Sequence, residues 1–254
     1  MTTNDDQNPT TSGLPSYGSV PPPPEGSYPP PPPPSGPAPV PGASGFSATE
    51  AVSYGLKKFG ENAGPILIAT VLLIVAAIAT DFLARALTGT DFTDNSFSIG
   101  GSISTIITNV VGFVIGAGVT RGALDITEGH KFDIVAAFKK LNIVNVIVTS
   151  LVVAVLTALG FALLIIPGII VAFLTLFAIY FVVDKDTNAI DSIKGSLNLV
   201  KNNVGNTIVL ILLSILVVIV GFLALCVGVL VAIPVLAIAW AYTFKVFLGE
   251  PVAP

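Results

Sequence analysis

The sequence predicts an all-α fold: a polytopic bundle of about six transmembrane helices in three hairpins, each preceded by a short amphipathic interfacial helix, behind a disordered proline-rich N-terminal tail. Three observations predict it. The run from Leu141 to Val183 holds no charged residue, and it is about twice the roughly 20 apolar residues that one helical span of a bilayer requires. Apolar residues make up 53% of the chain and charged residues 10%, where a soluble domain has about 25% charged. Mean hydropathy is +0.88. Finally, the lysines and arginines gather on one side of a six-span arrangement.

Residues 1–45 are the predicted tail. Fifteen of the twenty prolines lie at or before Pro41. Pro, Gly and Ser dominate, with too few aliphatic residues to build a core, and runs such as Pro29 to Pro34 favour polyproline II. The tail reads either as a solvated spacer or as a docking strip for a cytoplasmic protein with an aromatic-lined groove. The polar start MTTNDDQNPT lacks the basic and apolar regions of a secretory signal. Thr2 in place of Gly excludes myristoylation.

Residues 46–250 are the predicted six-span domain. The first span, 64–87, follows from the uncharged block Asn62 to Thr80; Asp81 and Arg85 beyond it are four apart and can pair at the interface. The second, 102–122, carries Gly112 and Gly116 in the small-x-x-x-small pattern that lets membrane helices approach closely. Leu141 to Val183 yields spans 141–163 and 166–184, with a tight turn predicted near Pro167 and Gly168. Val204 to Phe244 is again uncharged and double length. It yields spans 204–224 and 227–247, with a turn within Ala224 to Gly228 and a kink at Pro234. The lone cysteine, Cys226, excludes an intramolecular disulfide and reads as a small buried hydrophobe.

Ten of the eleven lysines and arginines fall on one face of this arrangement, and only Arg85 falls on the other. The bias places both termini in the cytoplasm and the loop holding Asp91 and Asp94 outside.

A short lysine-bearing segment precedes each hairpin: Ser47 to Pro65, Phe132 to Asn145 and Asn188 to Asn206. Leu56-Lys-Lys-Phe59 matches Phe138-Lys-Lys-Leu141, and Asn62 and Gly64 align with Asn203 and Gly205. Ser47 with Glu50 is a candidate capping box. In the third segment Ile190, Ile193, Leu197 and Val200 form an apolar stripe flanked by Lys194 and Lys201, which predicts a helix lying at the membrane surface against anionic headgroups. The architecture becomes three repeats of interfacial helix plus hairpin.

From about Arg121 to Lys245 the chain resembles a family of bacterial six-span membrane proteins of unknown function, which includes the YciC-like proteins and the membrane domains attached to some glycerophosphodiester phosphodiesterases. The residues carrying the resemblance are Arg121-Gly122-Ala123, Ile165-Ile166-Pro167-Gly168-Ile169 and Val182-Val183-Asp184. Ala189-Ile190, Ser192, Ser196 and Leu199-Val200-Lys201 with Asn203 belong with them. The tail is similar in composition to those of actinobacterial proline-rich antigens. The resemblance implies an integral inner-membrane protein and supplies no catalytic residue.

No enzyme is predicted. The one histidine, His130, has Glu128 and Asp133 nearby, but the stretch EGHKFD reads as a solvated loop rather than a rigid metal site. No nucleophile–base set and no phosphate-binding loop is present, and no basic stripe suits nucleic acid. No cofactor is implied. The central parts of the spans hold no ionisable residue of the kind that couples transport to protons or ions. Uncharged polar residues remain: Asn142, Asn145, Thr149, Asn203 and Asn206 cluster where odd-numbered spans begin. They read as helix caps or as a polar vestibule at the inner leaflet. Two functional readings follow. One is a membrane platform recruiting partners through its tail; the other is a transporter or lipid-handling protein with a cavity between hairpins.

Overall fold

The computed structural model describes residues 46–90, 99–224 and 227–254. The predicted tail, the loop holding Asp91 and Asp94, and Cys226 lie outside them.

Among the described residues ten helices follow in order: α1 Ala48–Glu61, α2 Ala63–Thr88, α3 Ile99–Thr127, α4 Ile134–Lys139, α5 Ile143–Leu163, α6 Ile165–Leu174, α7 Ala178–Lys185, α8 Ala189–Asn202, α9 Val204–Leu223 and α10 Val227–Phe247. Six stretches are long and apolar enough to cross a bilayer, with α6 and α7 together making the fourth. The short helices α1, α4 and α8 precede α2, α5 and α9, and so all stand on one membrane face. Large aliphatic side chains cover the outsides of α2, α5 and α9, as surfaces that face lipid must. The most enclosed span is α10.

The core lies where α3, α7 and α10 meet. Phe177, Phe244, Leu124, Ile126 and Ile238 are fully buried there, with Phe177 stacked on Phe244 at 6.0 Å between ring centroids. The outer short helix α1 crosses α10: Tyr54 meets Tyr242 at 4.6 Å between centroids. Gly55 lies against the backbone of Val235, where a Cβ would collide with its carbonyl oxygen.

Turns and caps differ from expectation in three places. The turn of the second hairpin is Leu164, which is extended, and Pro167 and Gly168 lie inside the first turn of α6. A proline is harmless there, because first-turn amides have no intrahelical acceptor. Gly168 instead serves close approach: a Cβ on Gly160 would come within 2.9 Å of the Gly168 Cα. The third hairpin repeats the device, since a Cβ on Gly221 would lie 3.1 Å from the Gly228 carbonyl oxygen. Second, the capping box is absent, because the Ser47 hydroxyl pairs with Thr49 at 2.7 Å and makes no bond to the α1 backbone. Third, the helix of the fourth span is interrupted at Thr175–Phe177. Pro234 sits within α10, which continues through it.

Along α8 the residues divide into three arcs. Ala189, Ser192, Ser196, Leu199 and Val200 are buried against the bundle. Of the predicted stripe, Val200 is enclosed, Ile193 and Leu197 are half-buried, and Ile190 is 64% exposed. Lys194 and Lys201 follow on the exposed side. The small serine face lets α8 seat tightly on protein, which leaves the apolar stripe at the edge of the contact.

Candidate functional site

Two features stand out inside the bundle: a closed cluster of charges at the face bearing the short helices, and an apolar cavity one or two turns deeper.

The cluster is built on helical spacing. Arg121, Asp125 and Glu128 occupy successive turns of α3, so one guanidinium reaches both carboxylates, Asp125 through Nε at 3.0 Å and Glu128 at 2.8 Å. Its other nitrogen faces Asp184 at the end of α7, at 3.5 Å. Lys245 of α10 binds Asp184 at 2.8 Å, Glu128 at 3.1 Å and Glu250 at 3.0 Å. Lys185 joins Asp184 to Glu250, and Lys140 reaches Asp125 at 2.8 Å. Four cations face four anions. Buried charges persist only when paired in this way, so the cluster welds α3, α7 and α10 together and offers no net charge to a ligand. For Glu250, burial works to raise the carboxyl, but the hydrogen bonds from Lys185 and Lys245 outweigh it and hold it below its ordinary value.

Ligand atoms of Asp125, Glu128 and His130 come within 4.8 Å of one another. The two carboxylates are already held by Arg121, Lys140 and Lys245, and three cations around the spot oppose a metal ion. Asp133 lies apart from this group and caps α4 by accepting from the amides of Val135 and Ala136.

The chain leaves the cluster through residues 250–254, which run back over α1 and α3. The amide of Ala253 donates to the Thr127 carbonyl at 2.8 Å, and the Tyr54 hydroxyl donates to the Ala253 carbonyl at 3.0 Å. Lys58 also reaches the Pro254 carbonyl.

The cavity lies between α3, α5 and the interrupted fourth span. Its volume is about 360 Å³, and its lining includes Gly112, Gly116, Thr120, Thr149, Ala154 and Ile179. Gly112 and Gly116 have nothing within 4 Å of where a Cβ would stand. Their small-x-x-x-small face therefore packs against no other helix among the described residues; it hollows one wall. The interruption at Thr175–Phe177 forms another wall. Two backbone groups there are satisfied by one side chain: Ser196 of α8 donates to the Leu174 carbonyl at 2.8 Å and accepts from the Phe177 amide at 3.0 Å. Irregular backbone survives at membrane depth only where protein covers it.

The polar residues singled out in the sequence divide between these features. Asn142 caps α5 by accepting from the Asn145 amide at 3.3 Å, and the Asn145 side chain donates to Asp186 at 3.3 Å. The Asn203 side-chain amide donates to the Leu199 carbonyl at 2.9 Å, and its Oδ1 is buried with no partner among the described residues. Asn206 lies on the first turn of α9. Of the five, Thr149 alone lines the cavity; it is 1% exposed, and its hydroxyl has no hydrogen-bond partner. Sequence reasoning allowed a cavity between hairpins without locating it, and it missed the cluster. The spacing of Arg121, Asp125 and Glu128 held a signal for the cluster, since such pairs meet on a helix face.

The chain is similar to proteins of two mycobacteria. It is 35% identical over 231 residues to "Uncharacterized protein Mb2590" of Mycobacterium bovis, spanning 83% of this chain and 71% of the relative. It is 34% identical over 231 residues to "Uncharacterized protein Rv2560" of Mycobacterium tuberculosis, with the same shares of 83% and 71%. No family model and no solved structure matches the chain.

Proposed function

The chain belongs to the family of these mycobacterial proteins, and from that premise we propose that it is a lipid-handling protein whose lateral cavity receives an apolar chain from the bilayer. One observation carries the reading: a hollow of about 360 Å³ between α3, α5 and an interrupted span, walled by apolar and small residues. That volume falls at the lower end of the roughly 300–1,000 Å³ of small-molecule sites. The lining holds no charged side chain, which favours a neutral, apolar guest. Interrupted helices beside a cavity are the usual form of binding sites within membrane bundles.

The lysine distribution supports a plasma-membrane protein with the short-helix face toward the cytoplasm. Exposed Lys194 and Lys201 would then meet anionic headgroups. The tail would serve as a spacer or as a strip for a cytoplasmic partner. Kinship with the YciC-like proteins, carried by the motifs quoted above, belongs to the same proposal.

The test is photocrosslinking in nanodiscs with a phospholipid bearing a diazirine midway along its acyl chain. Labelling should concentrate on residues 112–120 and 149–154, and Gly116→Leu should remove it there while labelling of the outer face of α9 persists. Equal labelling of both regions, unchanged by Gly116→Leu, would overturn the reading.

A further inference from the structure

Most threonines on these helices return the hydroxyl proton to the helix backbone, and buried Thr149 does not. Thr70, Thr80, Thr120, Thr175, Thr207 and Thr243 each donate the hydroxyl proton to the carbonyl four residues earlier, at 2.8–2.9 Å. That bond is the default for a threonine in an apolar helix, because lipid and packed side chains offer nothing else. Thr149 is 1% exposed, yet among the described residues its hydroxyl has no hydrogen-bond partner. A buried hydroxyl without a partner is costly, and this one belongs to the wall of a cavity.

The rest of the wall narrows what the hydroxyl can serve. Thr120 and Thr175 also line the cavity, but their protons are committed to the carbonyls of Gly116 and Val171. A hydroxyl so used keeps lone pairs to accept with and has no proton to give. Thr149 still has its proton. A guest bearing a hydrogen-bond donor could be met by Thr120 or Thr175; a guest bearing an acceptor is met by Thr149 or by half-buried Ser150, the other hydroxyl of the lining, and of these two Thr149 is the one enclosed without a partner. No lysine, arginine or histidine lines the space, so a carboxylate or phosphate would find no countercharge there. A neutral carbonyl needs none.

Resting on the lipid-handling reading, we infer that the cavity binds a neutral acyl ester, with the Thr149 hydroxyl donating to the ester carbonyl and the chain lying along Gly112 and Gly116. The hydroxyl supplies register: it fixes which atom of a long, otherwise featureless chain stops at that depth. The helix interruption at Thr175–Phe177 keeps the space open beside it, since Ser196 ties the loosened backbone away toward α8.

The test uses the full chain in nanodiscs carrying a diazirine alkane as the cavity label. Methyl palmitate and heptadecane, similar in length, compete at equal mole fraction in the bilayer. The wild-type protein should release the label to methyl palmitate at about three- to tenfold lower mole fraction than to heptadecane, the equivalent of one modest hydrogen bond. Thr149→Val, which keeps the shape and loses the hydroxyl, should bind heptadecane as before and lose the preference; Thr149→Ser should keep it. Equal competition by the two compounds on wild-type protein would overturn the inference even if Thr149→Val failed to fold, and so would a preference that survives in Thr149→Val. Absence of cavity labelling by any probe, unchanged by Gly116→Leu, would instead sink the lipid-handling reading itself.

Discussion

The amide of Phe177 donates to the hydroxyl of Ser196 at 3.0 Å, across the gap between α7 and α8. The same hydroxyl donates to the Leu174 carbonyl at 2.8 Å. One small side chain thus satisfies two of the backbone groups freed at the interruption of the fourth span, and Ser196 is wholly enclosed.

Ser196→Ala should therefore destabilise the bundle by about 1–3 kcal/mol, the cost of leaving buried backbone groups unpaired. Thermal unfolding in a mild detergent reads this as a lower midpoint. Ser192→Ala should cost less, because that hydroxyl bonds Thr187 and Asn188 beside the exposed start of α8. An unshifted midpoint for Ser196→Ala would contradict the role given to it.

The charge cluster predicts a larger effect. Asp184→Asn removes the anion shared by Arg121, Lys185 and Lys245. Breaking a buried pair from one side costs about 3–5 kcal/mol, so little folded protein should remain after heating that the wild type survives. Lys140→Ala should have a much smaller effect, because that side chain is half exposed and such pairs are worth about 0–1 kcal/mol. Comparable losses from both substitutions would contradict the picture of an enclosed weld.

The glycines separate packing from cavity. Gly160→Leu should prevent closure of the second hairpin, at a cost of about 1–3 kcal/mol or more, because Gly168 occupies the space its side chain needs. Gly116→Leu should leave stability nearly unchanged, because nothing stands within 4 Å of its Cβ position. Midpoints measured side by side check the pair; an equal fall in both would show that Gly116 faces a packed surface.

Acid stability should depend on Glu250. Its carboxyl is held below the ordinary value of 4.5 by Lys185 and Lys245 despite partial burial. A depressed carboxyl contributes stability that is complete above its unfolded value and is lost as pH falls through its folded value. Unfolding midpoints followed from pH 7 downward should therefore fall below about pH 4.5 less steeply in Glu250→Gln than in wild type. Parallel curves would contradict this.

Most of the fold was legible because the bilayer imposes a simple rule on sequence: long uncharged runs and lysine-rich ends. Uncharged blocks, turn signals and the lysine count together pointed to about six spans, and Lys-Lys pairs marked two of the short helices. The turn at Leu164 was not legible, because Pro167 and Gly168 signal breakage in general and only the packing of Gly160 on Gly168 gives their local purpose. The motif residues Arg121, Asp184 and Ser196 carried a resemblance without a reason; contacts between distant helices supply one. The place of the cavity between hairpins was hidden for the same cause. A Gly-x-x-x-Gly pattern says that a face is small, and it does not say whether a helix or a void lies against it.

Native mass spectrometry of the protein released from lipid nanodiscs tests the central claim most directly. The account predicts that the wild-type chain retains one neutral, ester-bearing lipid under conditions that strip the surrounding bilayer, and that Gly116→Leu, equally stable, emerges without it. Wild-type protein that emerges bare, or a Gly116→Leu variant that retains the same lipid in the same proportion, would contradict it.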